Sequence, residues 1–478
     1  MSVNAEEMLS WFFIINAAIT VVVIILERRR PEKTVAWLII FAAFPPLGFV
    51  LYLLVGRNWK RHKLNEEFSP YVKELVYKEM HHIENPDYIP LVKLLAENSD
   101  SPIFVDNSIT IFRSGDEKFE ALINEMKKAK HHIHLEYYMI KSDNIGNKII
   151  DVLLQKAKEG VKVRLILDRM GSVKFSKKRI KELKENGVDI VQYTYVLAPI
   201  LRNINTSINY RNHRKIAVID GRVGFVGGMN IGDEYCGKGK LGYWRDSHIM
   251  VKGDFVLGLQ GVFIDDFIAT KKAREPNYVW TEDFDEYFPE PLKADKKTMQ
   301  LVTSGPDSMY PSIMHAVLKM IAMAKDHIYI TTPYFVPPES VMEALRIAAL
   351  SGVKIKLIFP GTFDHFFVYY ASRSYFSELL KCGVEIYLYR KDSFIHSKTM
   401  MVDGKIVTVG TANMDIRSYE LNYEVNAVIY DNEITKEFED GFMDDVSQSE
   451  LLTLEKYEKT PKIIKFIESF SRIFSELL

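Results

Sequence analysis

An internal repeat is the feature that most constrains how this chain can fold. Four short blocks appear in one order and then again in the same order further along the chain. Equivalent residues are 195, 192, 196 and 183 positions apart for His132 and His327, Gly160 and Gly352, Gly187 and Gly383, and His213 and His396. A repeat of this length predicts two similar structural units that fill most of the 478 residues.

Each copy alternates between strand-like and helix-like patterns. The blocks are short, rich in β-branched residues and bounded by glycine, which is typical of buried strands. Helical patterns lie between them, at residues 149–159 and 341–351. We therefore predict the α/β class, with two pseudo-symmetric domains that each contain a mixed or parallel sheet between helices.

A longer motif ends each copy and carries the chemistry. Its pattern is His-x-Lys-x4-Asp-x6-Gly-(Gly/Thr)-x-Asn, filled by His213, Lys215, Asp220, Gly227, Gly228 and Asn230, and then by His396, Lys398, Asp403, Gly410, Thr411 and Asn413. Alternation along a strand places the histidine and the lysine of each copy on one face. The glycines would let the backbone approach an anion, and each asparagine offers amide donors.

The two copies of the motif predict one pocket for a tetrahedral phosphodiester. Lys215 and Lys398 would neutralise phosphate oxygens as charge develops in the transition state, and Asn230 and Asn413 would help to bind them. No Cys/His cluster has the spacing of zinc ligands, so no structural zinc site is expected. No cofactor is predicted.

The motif aspartates stand at a strand-to-turn boundary. Asp220 precedes Gly221 and Asp403 precedes Gly404, and aspartate commonly serves turn geometry at such positions. Both belong to the motif, but we expect their roles to be mainly structural.

The duplicated motif resembles that of the phospholipase D superfamily, over roughly residues 105–450. The resemblance implies two phospholipase D-like α/β domains and a reaction through a phosphohistidine, without a metal. Carried over to the matching positions, His213 is the nucleophile and His396 the general acid and base, while the reverse assignment stays open. Lys215, Lys398 and the two motif aspartates complete the implied catalytic set.

The same family places a carboxylate behind each histidine to orient its ring. Glu424, 11 residues after Asn413 in Asn-Tyr-Glu, matches that position in the second half. The first half departs from the pattern because residues 236–242 shift the register. Asp246, in Trp-Arg-Asp-Ser-His, is the candidate there.

Two apolar runs open the chain, at residues 8–26 and 34–55, and each is long enough to cross a bilayer as a helix. Glu6 and Glu7 are unlike the basic start of a signal peptide, so we predict an uncleaved transmembrane hairpin and a multi-pass protein of the cell membrane. Basic residues follow both runs in equal number, so charge does not fix the topology. We favour a hairpin, with the catalytic part in the cytoplasm. If only the first run spanned the membrane, the catalytic part would lie on the opposite side.

The anchor favours a lipid substrate, and several segments resemble those of bacterial cardiolipin synthases. They lie at residues 28–56, 209–215, 243–248, 304–307 and 332–335. The resemblance implies that two phosphatidylglycerol molecules give cardiolipin and glycerol. Phospholipid and membrane are the expected partners. Nucleic acid is not, because 62 basic side chains balance 63 acidic ones.

Other functions stay open at this point. The first is another phospholipase D-type hydrolysis or transfer, the second a tethered nuclease, and the third an inactive lipid-binding scaffold. The oligomeric state is also open.

The predicted organisation has six parts. They are a membrane anchor (1–60), a helical connector (61–104), a first phospholipase D-like domain (105–273), a linker (274–297), a second such domain (298–450) and an amphipathic C-terminal helix (451–478). The last is predicted either to lie on the membrane or to dock on the protein body. An apolar insertion within residues 195–212 either lines an acyl-chain entrance or packs on its own domain.

Overall fold

The computed structural model describes residues 11, 21–22, 31–44, 48, 52, 86–193 and 210–475. The chain divides into two compact units, one made of Met1–Arg61 with Tyr195–Tyr210 and one made of His62–Thr194 with Arg211–Leu478. Both copies of the repeat belong to the second unit.

In the first unit, helix α1 (Pro31–Ala43) is described. The rings of Phe41 and Tyr52 are buried and lie 5.8 Å apart. Within the described ranges, no helix is long and apolar enough to cross a bilayer. The predicted span at residues 8–26 lies outside the described residues except for positions 11, 21 and 22, and the span at 34–55 is described only in part. Most of the predicted connector and insertion also lies outside them.

The first repeat alternates strands with helices as predicted, and short 3₁₀ turns occur at Pro86–Tyr88 and Asp233–Cys236. Helix α2 (Ile89–Ser99) precedes the first repeat and packs against the second. The elements of the first repeat are β1 (Ile103–Phe112), α3 (Gly115–Lys128), β2 (His132–Tyr137), α4 (Asn144–Lys158), β3 (Lys162–Asp168), α5 (Lys177–Glu185), β4 (Asp189–Tyr193), β5 (Arg211–Asn212), β6 (Lys215–Ile219), β7 (Val223–Gly227), β8 (Tyr243–Arg245), β9 (His248–Gly253) and α6 (Phe255–Arg274).

The second repeat follows after a 3₁₀ turn at Phe284–Tyr287. Its elements are β10 (Lys297–Ser304), α7 (Ser312–Met323), β11 (His327–Thr331), β12 (Phe335–Val336), α8 (Glu339–Leu350), β13 (Lys354–Pro360), α9 (Phe366–Ser374), α10 (Phe376–Lys381), β14 (Glu385–Tyr389), β15 (Ser393–Ile395), β16 (Thr399–Val402), β17 (Ile406–Gly410), β18 (Met414–Asp415), α11 (Ile416–Glu420), β19 (Asn422–Ile429), α12 (Asn432–Ser447), β20 (Ser449–Leu452), α13 (Leu454–Glu458) and α14 (Lys462–Arg472).

The two repeats share one continuous mixed sheet, which confirms the predicted α/β class. Its order is β20-β14-β13-β11-β16-β17-β19-β10-β1-β9-β7-β6-β2-β3-β4, with β5 paired to β19. In each repeat three neighbouring strands are parallel, and the remaining neighbours are antiparallel. The order is mirrored about the central β1 and β10 pair, so the sequence repeat appears as a pseudo-twofold relation between two halves of the sheet.

The repeated glycines have a local structural cause. Gly160, Gly187, Gly352 and Gly383 have φ values of 88°, 87°, 97° and 86°, and each stands between a helix and the next strand. A residue in this left-handed conformation ends a helix, and glycine adopts it without steric cost. The helices then return to the sheet and bury apolar faces such as Ile149 and Leu153 of α4 against it.

Candidate active site

The two motif histidines lie where short strands of the two repeats meet. His213 stands between β5 and β6, and its backbone N–H donates to the carbonyl of Tyr423, 2.9 Å away. His396 stands between β15 and β16, and its backbone N–H donates to the carbonyl of Arg245, 2.7 Å away. Each histidine is therefore held by backbone of the other repeat.

Two parallel strand pairs cause this arrangement. Strand β5 of the first repeat pairs with β19 of the second, with Asn212 opposite Tyr423. Strand β8 of the first repeat pairs with β15 of the second, with Arg245 opposite Ile395. Glu424, the residue after Tyr423, and Asp246, the residue after Arg245, are consequently each brought beside a histidine of the other copy.

The orienting carboxylates are exchanged between the repeats. Nδ1 of His213 lies 3.0 Å from Oε1 of Glu424, and Nδ1 of His396 lies 2.7 Å from Oδ2 of Asp246. Both carboxylates are fully buried. The sequence predicted these four residues. It did not predict that each carboxylate meets the histidine of the other repeat, because Glu424 follows His396 and Asp246 follows His213 in the same copy. With both Nδ1 atoms engaged, Nε2 is the ring nitrogen available for chemistry.

The motif lysines lie beside the histidines. Nζ of Lys215 donates to the carbonyl of His213 at 2.6 Å, and Nζ of Lys398 contacts the carbonyl of His396 and lies 2.9 Å from its Nδ1. Burial lowers the pKa of Lys215 to about 7 and that of Lys398 to about 8, partly offset by Glu424 and Asp246. Burial disfavours the charged form of each lysine, so a phosphate bound beside them would stabilise that form.

Electrostatics distinguish the two histidine-carboxylate pairs. Burial lowers the pKa of His213 and moves that of His396 well below its usual value, and both lysines add to these shifts. Burial would raise the pKa of Glu424, but His213 and Lys215 hold it below its ordinary value. Burial raises the pKa of Asp246 to about 6. Glu424 is therefore more firmly ionised than Asp246, and the charged form of His396 is disfavoured more strongly than that of His213.

The motif aspartates lie away from the histidines. Oxygens of Asp220 accept hydrogen bonds from the backbone N–H groups of residues 130, 131 and 132 at 2.8 to 2.9 Å. Asp403 binds residues 325, 326 and 327 in the same way. Each aspartate is seven positions beyond its histidine, or about 20 Å of extended chain.

Both motif aspartates lie in turns rather than beside the histidines. Asp220 and Asp403 have φ values of 52° and 54°, and each joins the turn after one strand to the start of the neighbouring strand. The structure therefore does not bring these two residues to the reacting groups. Their contacts are those of residues that fix a turn, in line with the structural role expected from the sequence.

Gly227 and Gly228 have close neighbours within the protein itself. This differs from the expectation that they let the backbone approach an anion. A Cβ atom at Gly227 would lie 2.5 Å from the Cα of His248, and one at Gly228 would lie 2.1 Å from Oδ1 of Asp246. At the equivalent Gly410, a Cβ atom would lie 2.3 Å from Oδ1 of Asn426. The small residues make room for the close approach of Asp246, His248 and Asn426.

We expect Gly228→Ala to reduce turnover by about 100-fold, because a misplacement of roughly 1 Å at a catalytic group costs that much. The added methyl group would push Asp246 away from His396. Gly261→Ala is the matched control, since a Cβ atom there has nothing within 4 Å. Steady-state rates of the two variants check the expectation, and equal rates would show that Asp246 does not need its present position.

The motif asparagines differ in their contacts. Oδ1 of Asn230 accepts from the backbone N–H of Met139 at 3.2 Å, and its Nδ2 donates to the hydroxyl of Tyr235 at 3.3 Å. Asn413 is buried, and its Oδ1 has no hydrogen-bond partner among the described residues. Binding of phosphate by these amides stays a prediction.

The sequence reasoning missed the aromatic walls of the site. The ring of Tyr138 lies 4.8 Å from that of His213, and Trp244 lies 5.1 Å from His396. The hydroxyl of Tyr235 lies 3.5 Å from Nδ1 of His396. Tyr334 lies 6.5 Å from the same ring. A signal was present, because Tyr138 and Tyr334 follow equivalent strands of the two copies.

Comparison with known families gives two matches. The family described as "Cardiolipin synthase, PLD-like domain" matches residues 122–239 and 317–446, which together are about half of the chain. The family described as "Phospholipase_D-nuclease N-terminal" matches residues 11–57. The first match covers one motif histidine in each repeat.

Curated relatives match over nearly the whole length. The major cardiolipin synthase ClsA of Bacillus subtilis is 41% identical, with 98% of this chain and 99% of the relative covered. A cardiolipin synthase of Listeria innocua gives the same identity and coverage. One from a Geobacillus species is 40% identical, with 95% of this chain and 90% of the relative covered.

A solved structure supports the fold. Phosphatidylserine synthase of Haemophilus influenzae superposes with a TM-score of 0.63 at 14% identity, and covers 81% of this chain and 100% of its own. Together with the crossed histidine pairs and the relatives that match from end to end, this leads to one conclusion. The chain belongs to the cardiolipin synthase family of the phospholipase D superfamily.

Proposed function

We propose that the protein is a cardiolipin synthase that converts two phosphatidylglycerol molecules into cardiolipin and glycerol. The observation that carries the proposal is the pair of crossed histidine-carboxylate contacts flanked by two buried lysines. Relatives at 40% to 41% identity over nearly the full length are cardiolipin synthases, which supports the same reaction.

The first half-reaction forms a covalent intermediate. Nε2 of His213 attacks the phosphorus of one phosphatidylglycerol, and the bond from phosphorus to the headgroup glycerol oxygen breaks. His396 gives its proton to that oxygen, so glycerol leaves as a neutral alcohol. Lys215 and Lys398 neutralise the charge that develops on the phosphate oxygens.

In the second half-reaction, the phosphatidyl group passes from His213 to the second lipid. A hydroxyl of the second phosphatidylglycerol loses its proton to His396 and attacks the phosphatidyl-histidine. The bond between nitrogen and phosphorus breaks, and cardiolipin is released with His213 regenerated. No atom is gained or lost overall, because one glycerol leaves and one lipid alcohol replaces it.

The pKa directions support the assignment of the nucleophile. Glu424 has a lowered pKa and stays ionised. It therefore accepts the Nδ1 proton of His213 and leaves a lone pair on Nε2. In the other pair, the pKa of His396 lies well below its usual value and that of Asp246 is raised to about 6, so a proton taken up there is shared by the pair rather than held by His396 alone.

Membrane location completes the proposed function. The N-terminal family match at residues 11–57 covers much of both apolar runs, which supports an anchor in the cell membrane. A multi-pass hairpin and a cytoplasmic catalytic part are proposed from the sequence pattern. Phospholipid is the proposed substrate, and nucleic acid is not a proposed partner.

The test is an analysis of products from labelled phosphatidylglycerol and the full chain in detergent. Labelled cardiolipin with release of glycerol is the expected result. Phosphatidic acid as the only product would replace the synthase by a hydrolase of the same fold, and would overturn the proposed acceptor.

The buried lysines predict a loss of activity at alkaline pH. Each lysine is charged below its pKa, so kcat/KM should fall as pH rises through about 7 to 8, where Lys215 and Lys398 lose their protons. Lys398→Arg, if it retains activity, should move the alkaline limb to higher pH, because arginine stays protonated. A rate that is flat up to pH 10 would contradict this role of the lysines.

A further inference from the structure

The C-terminal helix α14 has its polar side inward and its apolar side outward. Glu468 and Ser471 on the helix, and Ser475 beyond its end, are buried. Among the apolar residues, the exposed fractions are 64% for Ile463, 66% for Phe466, 45% for Phe470, 74% for Ile473 and 37% for Phe474, while Ile464 and Ile467 are half-buried. A terminal helix docked on a soluble body would show the opposite arrangement.

Specific polar contacts fix this orientation. Oε1 of Glu468 lies 2.8 Å from Nε of Arg373, and its Oε2 accepts from the hydroxyl of Tyr457 at 2.8 Å. The hydroxyl of Tyr375 donates to Oγ of Ser475 at 3.2 Å. Rotation of the helix would leave the buried carboxylate of Glu468 without its partners, which is strongly unfavourable. The apolar face is therefore held outward by the fold.

Helix α9 and the residues before it extend the same surface. Phe363, Phe366 and Phe367 are 45%, 42% and 49% exposed. The ring of Phe367 lies 6.4 Å from that of Phe474, which lies 5.3 Å from that of Phe470. We call the whole surface the aromatic patch, and it consists of Phe363, Phe366, Phe367, Ile463, Phe466, Phe470, Ile473 and Phe474.

The aromatic patch is continuous with the wall of the active site. Asp364, next to Phe363, accepts a hydrogen bond from the hydroxyl of Tyr334. The ring of Tyr334 lies 6.5 Å from that of His396. The patch thus begins close to the histidine that handles the acceptor lipid in the proposed reaction.

We propose that the aromatic patch inserts into the interfacial layer of the phospholipid bilayer that supplies the substrate. Exposed phenylalanines of this kind gain free energy when they leave water for the boundary between headgroups and acyl chains. Lys462, exposed at the start of α14, is placed to meet anionic headgroups. The occupant is the bilayer surface rather than a second copy of the chain. The active site is in this way held at the depth of the lipid phosphates.

A fluorescence experiment tests insertion without any need for turnover. An environment-sensitive dye is attached at Phe470→Cys in the full chain, with Cys236 and Cys382 changed to serine and the protein reconstituted in phosphatidylglycerol and phosphatidylcholine vesicles. Lipids brominated near the glycerol backbone should quench the dye strongly. Leu350→Cys is the matched control, because Leu350 is an apolar residue of α8 that is 73% exposed outside the patch, and its dye should not be quenched.

A kinetic experiment tests the consequence for the enzyme. Phe466→Ser combined with Phe470→Ser should lower the rate on vesicle-embedded phosphatidylglycerol by about tenfold or more, since about 1.4 kcal/mol of lost burial gives that factor. The rate on short-chain, monomerically dissolved phosphatidylglycerol should stay unchanged. Ile347→Ser with Leu350→Ser is the control pair and should leave both rates unchanged.

The outcomes separate the two proposals. Equal quenching at positions 470 and 350, or an equal loss of both rates, would overturn insertion of the patch. The patch would instead be a contact between two copies of the chain if the dye signal changed with protein concentration and the mass of the particle were twice that of one chain. A wild type inactive on both lipid forms would count against the proposed synthase, while the quenching result would still decide the patch.

Discussion

His213→Ala and His396→Ala should each lower the rate of cardiolipin formation by at least about 1000-fold. Loss of a nucleophile removes the covalent route, and loss of a general acid and base costs on the order of 10² to 10⁴ in rate. Both side chains are largely buried between the repeats and bonded to a buried carboxylate. The measurement is the initial rate of product formation from labelled phosphatidylglycerol, with circular dichroism to verify that each variant is folded.

The control for this prediction is another histidine of the same chain. His131 has a side chain that is 36% exposed and faces Glu286, at the end of the first repeat that lies away from His213. His131→Ala should therefore keep most of the activity. Retention of more than about a tenth of the rate in either motif variant would contradict the two-histidine mechanism.

Glu424→Gln and Asp246→Asn should each reduce turnover by about 10² to 10⁴, as expected for loss of a carboxylate that fixes the tautomer of a catalytic histidine. The crossed geometry makes a sharper prediction about which histidine responds. Glu424→Gln should lower the pKa of His213 further, because Glu424 raises it in the wild type. The pKa of His396 should change much less.

Nitrogen NMR of histidine-labelled protein measures this difference directly. Each variant is titrated beside the wild type, with His213 and His396 assigned by substitution. Asp246→Asn should affect His396 and spare His213. The reverse pattern, in which each carboxylate governs the histidine of its own repeat, would contradict the exchanged pairing.

Much of the fold follows from the sequence because the repeat is encoded by local chemistry. Glycines such as Gly160 and Gly352 are required at equivalent turns, where φ is 88° and 97°. The β-branched blocks that follow them form the parallel strands of the two half-sheets. The histidine and lysine of each motif were likewise predicted to lie together, and short-range spacing alone decides that.

The exchange of carboxylates could not be predicted in this way. It depends on the two short pairings of β5 with β19 and of β8 with β15, whose partners are far apart in the chain. In sequence, Asp246 and Glu424 simply follow the histidine of their own copy. The continuous sheet through β1 and β10 joins the two repeats, and the two short pairings then determine which histidine each carboxylate meets.

The orientation of the C-terminal helix was also beyond the sequence pattern. Periodicity shows that α14 has an apolar and a polar face, but it does not say which face the body binds. The partners of Glu468 on other elements, Arg373 and Tyr457, decide it. These contacts dock the helix on the body through its polar face and leave the apolar face outward, where the proposed contact with the membrane would lie.

The most direct test of the central claim is to locate the phosphatidyl group on the enzyme during turnover. The wild type is mixed with phosphatidylglycerol labelled in the phosphatidyl group, quenched in alkali within one turnover, digested and mapped by mass spectrometry. The mechanism predicts a labelled peptide that contains His213, and no label after His213→Ala. Label on His396 instead would reverse the assigned roles, and label on neither histidine would contradict the covalent mechanism.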